Sequence, residues 1–174
     1  MACGNIENSY LRGCDLGSSG IRKFWFAKYS GGTAMTYDAD GIISGGTSVA
    51  PHYLYEMKEE TGSVTQNVIA SPTGNVSFEI ITEMVFLYNR QEVRNRVDEL
   101  VSATSSIIAE DENGQRWYIG ETRGCSPNGG TGAFGVSASD ENSFRISFRT
   151  LESSPIRQID TDGTYDASPA LLNS

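Results

Sequence analysis

The chain has 174 residues, 38% of them hydrophobic, which suffices for one packed domain and argues against wholesale disorder. Asp and Glu number 22 against 13 Lys and Arg, a formal net charge of -9, whereas binding nucleic acid through its phosphates needs clustered cations. No apolar run approaches the roughly 20 residues of a membrane span. The opening Met1-Ala2-Cys3-Gly4-Asn5 has neither the basic nor the apolar region of a secretory signal, so a protein made in a cytosol is expected.

Residues 1–19 are rich in Gly, Ser and Asn and read as an N-terminal arm. The first strand is predicted over Ile21–Tyr29, with Ile21, Trp25, Ala27 and Tyr29 on one face and Lys23 as the polar exception. A glycine-rich loop follows, with one short strand expected near Gly41–Ser44. After Pro51, the residues Tyr53, Tyr55 and Met57 alternate with Glu56 and Lys58, as in a strand with one solvated face. That strand is expected to run on to Ile69, with Gly62 as a bulge between its halves.

Ser71–Asn75 has turn composition. Val76–Leu87 then alternates as one long strand of roughly 40 Å, predicted to pair with the segment before it. Asn89-Arg90-Gln91-Glu92 has the form of a capping box. Val93, Val97, Leu100 and Val101 continue it as one apolar stripe, which predicts a helix over 90–103 that packs on a sheet by a single side. Arg94 and Asp98 are spaced to pair one turn apart.

Asn113-Gly114 between two strand-like runs predicts a hairpin with a two-residue type I′ turn. That register sets Asp111 opposite Arg116, Ile108 opposite Ile119 and Glu110 opposite Trp117. Residues 121–142 read as a long glycine-rich loop with a short strand near Ala133–Val136. Phe144, Ile146 and Phe148 alternate with Arg145, Ser147 and Arg149 in the last clear strand. From 153 to 174 a C-terminal tail is expected, flexible or ordered by a partner. The predicted class is therefore mainly β with one helix: two packed antiparallel sheets over 20–152, flanked by the helix.

Reactive constellations are scarce. The chain's single histidine, His52, is expected at the surface and lies in no nucleophile motif. Glu79 and Glu83 share a strand face but stand roughly 13 Å apart along the strand, too far for a glycosidase pair. Cys3, Cys14 and Cys125 together with His52 lack the paired spacing of zinc sites, and Asp38-Ala39-Asp40-Gly41 lacks the closing Glu of a calcium loop. The double glycines are not phosphate-binding loops. No enzyme activity, metal or cofactor is expected.

The order of long strand pair, helix, Asn-Gly hairpin ending in Trp117-Tyr118-Ile119-Gly120, glycine-rich loop and Phe-x-Ile-x-Phe strand resembles phage tail-tube-like proteins. The opening Met-Ala-Cys-Gly-Asn-Ile, the later Gly-Cys-Asp and Gly-Ile-Arg, and the Glu-Asp-Glu-Asn-Gly hairpin are similar to small tail or ring proteins of Bacteroidota-infecting phages, including crAss-like ones. The resemblance covers about residues 1–152. It implies a virion structural protein whose copies join through their sheets into a closed ring around the DNA channel of a tail or portal-tail connector. Partners would be further copies and neighbouring portal or tail proteins, with DNA passing unbound and no membrane involved. Glu56, Glu59, Glu60, Glu79 and Glu83 are then candidates to face the lumen, where like charge keeps DNA from adhering. The reading from another class is a monomeric or dimeric sandwich that binds a host surface or carbohydrate, with Trp25 and Trp117 lining its site.

Overall fold

The structure, a computed structural model, describes residues 19–31, 35–46, 51–72, 74–87, 90–135, 142–160 and 172–173. The expected N-terminal arm, with Cys3 and Cys14, lies almost wholly outside them, as do Asn89 and Val136. The elements are β1 (Ile21–Lys28), β2 (Met35–Tyr37), β3 (Ile43–Gly46), β4 (His52–Glu56), β5 (Gly62–Ala70), β6 (Val76–Leu87), α1 (Gln91–Val101), β7 (Ser105–Asp111), β8 (Arg116–Ile119), β9 (Ser126–Ala133), β10 (Ser143–Glu152), β11 (Arg157–Ile159) and β12 (Leu172–Asn173). A large sheet runs β12-β4-β1-β7-β8-β11-β3-β2 and a small one β5-β6-β10-β9. Neither is closed into a barrel. The small sheet is antiparallel throughout, as expected, but the large one includes parallel pairs at β11–β3 and β12–β4.

The core between the sheets is aromatic and β-branched. Phe24, Phe26, Ile107 and Ile119 of the large sheet meet Ile80, Met84, Ile146 and Phe148 of the small one, and Val97 and Leu100 of α1 close it from the side. The Phe26 and Phe148 rings lie 5.2 Å apart between centroids, and Tyr55 meets Phe86 edge-on at 6.1 Å. Each such side chain contributes about 1.5–3 kcal/mol by leaving water.

β1 is covered on both faces, which the one-sided reading misses. Phe24 and Phe26 enter the inter-sheet core, while Trp25 joins Ile43, Ile108, Tyr118 and Ile159 in a second cluster on the far face. A register shift between Ile21 and Lys23 flips the alternation, so Ile21 packs with the Phe24 side instead of the Trp25 side.

The segment expected as one bulged strand is two strands in different sheets. β4 pairs with β1, the chain turns through Glu59–Thr61 with Glu60 at φ 63°, and β5 pairs with β6. Gly62 marks the crossing: a Cβ there would stand 2.9 Å from Phe24 Cε2, so only glycine lets β5 start this close to the core. β6 spans the twelve residues expected of it and pairs with β5 around a turn in which Ser71 N donates to Asn75 O at 2.8 Å.

The helix is shorter than expected, and its N-cap is Arg90, in extended conformation with no side-chain capping bond; the capping box expected there rests on Asn89, outside the described residues. Val97 and Leu100 are buried, Val93 is partly so and Val101 lies exposed at the rim. An Arg96–Glu99 ion pair at 3.1 Å lies on the solvent side, and Arg94 lies over the Phe134 ring at 4.9 Å.

The β7–β8 hairpin is real but one residue out of the expected register. Ile107 faces Ile119, Ile108 faces Tyr118 and Glu110 faces Arg116. Asp111 is the cause. Its Oδ1 accepts from Asn113 N and Gln115 N, both at 2.9 Å, and its carbonyl accepts from Gly114 N at 3.0 Å. Gly114 alone in the loop has positive φ (81°), so the turn is a three-residue loop with a glycine bulge, since type I′ needs positive φ at two residues.

Two further segments differ from expectation. The short strand sought near Ala133–Val136 is β9, which starts at Ser126 and takes in Pro127 and three glycines. Past residue 153, Arg157–Ile159 is not a free tail: β11 sits inside the large sheet between β8 and β3, with Ile159 buried. Ile156 N donates to Gln66 Oε1 at 2.9 Å, which ties this segment to β5 as well.

Phe148→Ala should cost about 3–5 kcal/mol, because the ring is fully buried against both sheets and α1 leaves the site little room to collapse. Urea denaturation checks this, with a lowered midpoint and an unchanged slope.

Candidate functional site

The two sheets differ in how they end. The large sheet stops at β12 and β2, strands of two and three residues. Short borders are a common way of blunting an edge. The small sheet stops at β5, of nine residues, and β9, of eight. Each has one side without a strand partner among the described residues. Such borders usually carry charges, yet no charged residue occurs between Glu60 and Glu79, or between Arg123 and Asp140. Pro127 and a bulge beside it, at one end of β9, are the only guards either strand has in its described residues.

Both strands are exposed. Val68 is 65% accessible, and it shares the core-facing side of the β5–β6 hairpin with Ala70 and Val76, beyond the reach of the core. At the opposite border, α1 and β9 bound a groove of about 540 Å³, with Val97, Val101, Phe144 and Ile146 lining it and Arg94 and Asp98 at its rim. Gly130 and Gly132 lie on that side of β9 and present no side chain to it. Phe134 is exposed just past the strand.

The small sheet's outer face mixes charged, polar and apolar side chains. Ser63, Glu83 and Ser147 form one row, Thr65, Ile81 and Arg149 the next, and Asn67, Glu79 and Leu151 a third, with Ile69 opposite Ser77 and Val85 opposite Arg145 on the same face. Arg149 Nε reaches Glu79 Oε1 at 2.5 Å, and the face carries Glu79 and Glu83 against Arg145 and Arg149, so its charges balance. The other three lumen candidates are elsewhere. Glu56 ends β4 in the large sheet, 3.8 Å from Lys23 Nζ, while Glu59 and Glu60 occupy the turn before β5. The five glutamates therefore do not form one acidic face. The resemblance grouped them as lumen candidates, and the turn at Glu59–Thr61, which carries the chain from one sheet to the other, separates them.

The remaining polar groups hold the fold. Glu110, buried, pairs with Arg116 at 2.9 Å and Arg22 at 3.4 Å, and Arg116 lies over the Trp25 ring at 5.2 Å. Trp25 is 4% exposed and cannot present a binding surface. Trp117 lines a small cavity with Ile21, Val64, Ala109 and Ile156. Glu121 accepts from the Tyr37 hydroxyl and pairs with Arg157, whose guanidinium lies over the Tyr37 ring. Burial and then that carboxylate push the Tyr37 phenol up to about 12. Glu152, buried, accepts from Thr122 N and Arg123 N at 3.3 and 3.4 Å and pins the crossing from β8 to β9.

His52, expected at the surface, is 1% exposed at the start of β4. Among the described residues no His, Cys, Asp and Glu side chains cluster so as to hold a metal, and no helix is long and apolar enough to cross a membrane. No family model, curated protein or solved structure matches the chain.

Cys125 is buried with its sulfur against Gly120, and burial raises its thiol far above the usual range. The unfolded thiol ionises near ~8.5, so this stabilisation is complete below that pH and is lost as pH climbs toward the folded value. In a Cys3→Ser, Cys14→Ser background, Cys125 should react with Ellman's reagent at pH 8 only as fast as the protein opens. Reaction at the rate of a free thiol would contradict the placement.

Proposed function

We propose that this chain is a non-enzymatic structural protein of a phage virion, a tail-tube-like subunit whose copies close into a ring around the DNA channel of a tail or portal-tail connector. The observation that carries the reading is the pair of long, charge-free borders on one sheet, each without a strand partner on one side among the described residues, in a molecule whose other sheet ends in short strands. An unpaired edge is a template for another chain, and closure of a ring removes it.

Strand direction supports a ring. The small sheet has four strands that alternate in direction, so β5 of a copy turned about a ring axis runs antiparallel to β9 of its neighbour. The sheet then continues from copy to copy in the pairing it uses internally. Such an interface is heterologous, the kind that closes rings. The wall it forms would show Ser63, Thr65, Asn67, Glu79, Glu83, Arg145, Ser147 and Arg149 to the channel, with Ile69, Ile81, Val85, Leu87 and Leu151 between them. With its charges balanced, that face offers phosphates no cationic patch, and DNA passes without binding. Repulsion by a row of acids is not part of this account.

Light scattering should give a mass several times 18.8 kDa, and negative stain should show rings. Val68→Lys should convert these to monomers while changing stability by no more than about 0.5 kcal/mol, because the side chain is exposed in a single copy. A wild-type protein that stays monomeric at its solubility limit would overturn the proposal.

A further inference from the structure

The two borders do not lie level, and the offset between them assigns the register of the interface. Through β10, Ser126 of β9 lies level with Ile81 of β6, and Ala133 lies level with Leu87. β5 instead spans from the level of Val76, opposite Ala70, to that of Met84, opposite Gly62. Copies joined without stagger would pair only the first half of β5 with the first half of β9. Roughly half of each border would stay open.

We infer that neighbouring copies are staggered so that Thr65 of one stands opposite Thr131 of the next, Val64 opposite Gly132 and Val68 opposite Pro127. The inference rests on the ring reading above and adds which residues meet. Two constraints select this register. A slip by an odd number of residues would turn the apolar side of β5 toward solvent, so only even shifts keep both faces in place. Among even shifts, this one alone gives every residue level of β9 a partner in β5. The shift is about four residues per copy, or about one per strand, the ratio of barrels whose strands tilt by about 36°.

The side chains fit the same register. Val68, exposed in the isolated copy, comes to rest at the mouth of the groove between α1 and β9, beside Val101 and Pro127. Gln66 and Val64 pass over Gly130 and Gly132, where β9 has no side chains of its own. Neither border brings a charge into the contact, and the occupant of the groove is a second copy of this chain.

Cysteine pairs test it in the Cys3→Ser, Cys14→Ser background. Within one copy β5 and β9 are separated by two strands, about 14 Å, too far for a disulfide. Oxidised Thr65→Cys/Thr131→Cys protein should therefore run as a ladder of covalent oligomers, far more strongly than Ser63→Cys/Thr131→Cys or Asn67→Cys/Thr131→Cys. Mixing chains that carry Thr65→Cys alone with chains that carry Thr131→Cys alone should give covalent dimers only in the mixture. Cross-linking through Ser63 or Asn67 instead would overturn the register and leave the ring reading standing. Self-cross-linking of Thr65→Cys alone would show a two-fold dimer and overturn both. Failure of every pair in a protein that scatters as a monomer would overturn the ring reading itself.

Discussion

A β-strand at a sheet border presents backbone N–H and C=O groups that have no protein partner, and that constraint organises this molecule. In the large sheet it is met by shortening the border strands to two or three residues. In the small sheet, β5 and β9 each lack a strand partner on one side among the described residues, and no charge guards either one. A monomer gains nothing from such borders and risks aggregation through them. Their presence on opposite sides of a single sheet, with alternating strand directions, is what the proposed assembly would use.

The rest of the fold holds these borders on opposite sides of one sheet. β6 and β10, the inner strands of the small sheet, send Ile80, Met84, Ile146 and Phe148 into the core against Phe24, Phe26, Ile107 and Ile119. α1 covers only the β9 side, which makes the groove, and the β5–β6 hairpin outruns the core, which leaves Val68 and Val76 uncovered. The same packing thus creates an apolar recess at one border and an apolar projection at the other. Buried Glu110 and Glu152, each satisfied by named donors, fix the hairpin and the crossover between the sheets.

The strands with strict alternation were legible from the residues alone: β6 from end to end, and β10 around Phe144, Ile146 and Phe148. The core-facing stripe of α1 was equally plain, since 3.6-residue spacing has few other readings. Features set by contacts distant in sequence were not. β9 reads as a loop because its glycines pack against β10 instead of signalling a turn, although the absence of charge from Arg123 to Asp140 was a usable sign. β11 is three residues long and owes its place to neighbours on either side. The hairpin slipped by one residue because the Asp111 side chain outcompeted the local preference of Asn-Gly. Of the lumen candidates, only Glu79 and Glu83 share the small sheet's outer face, since a single turn at Glu59–Thr61 moves the chain between sheets.

Amide hydrogen exchange as a function of protein concentration addresses the border claim most directly, because it reads the backbone groups themselves. Protection should rise together in Gly62–Ala70 and Ser126–Ala133 as copies associate, while Met35–Tyr37 at the large sheet's border stays unchanged. Exchange in β5 and β9 that is fast and independent of concentration would contradict the account.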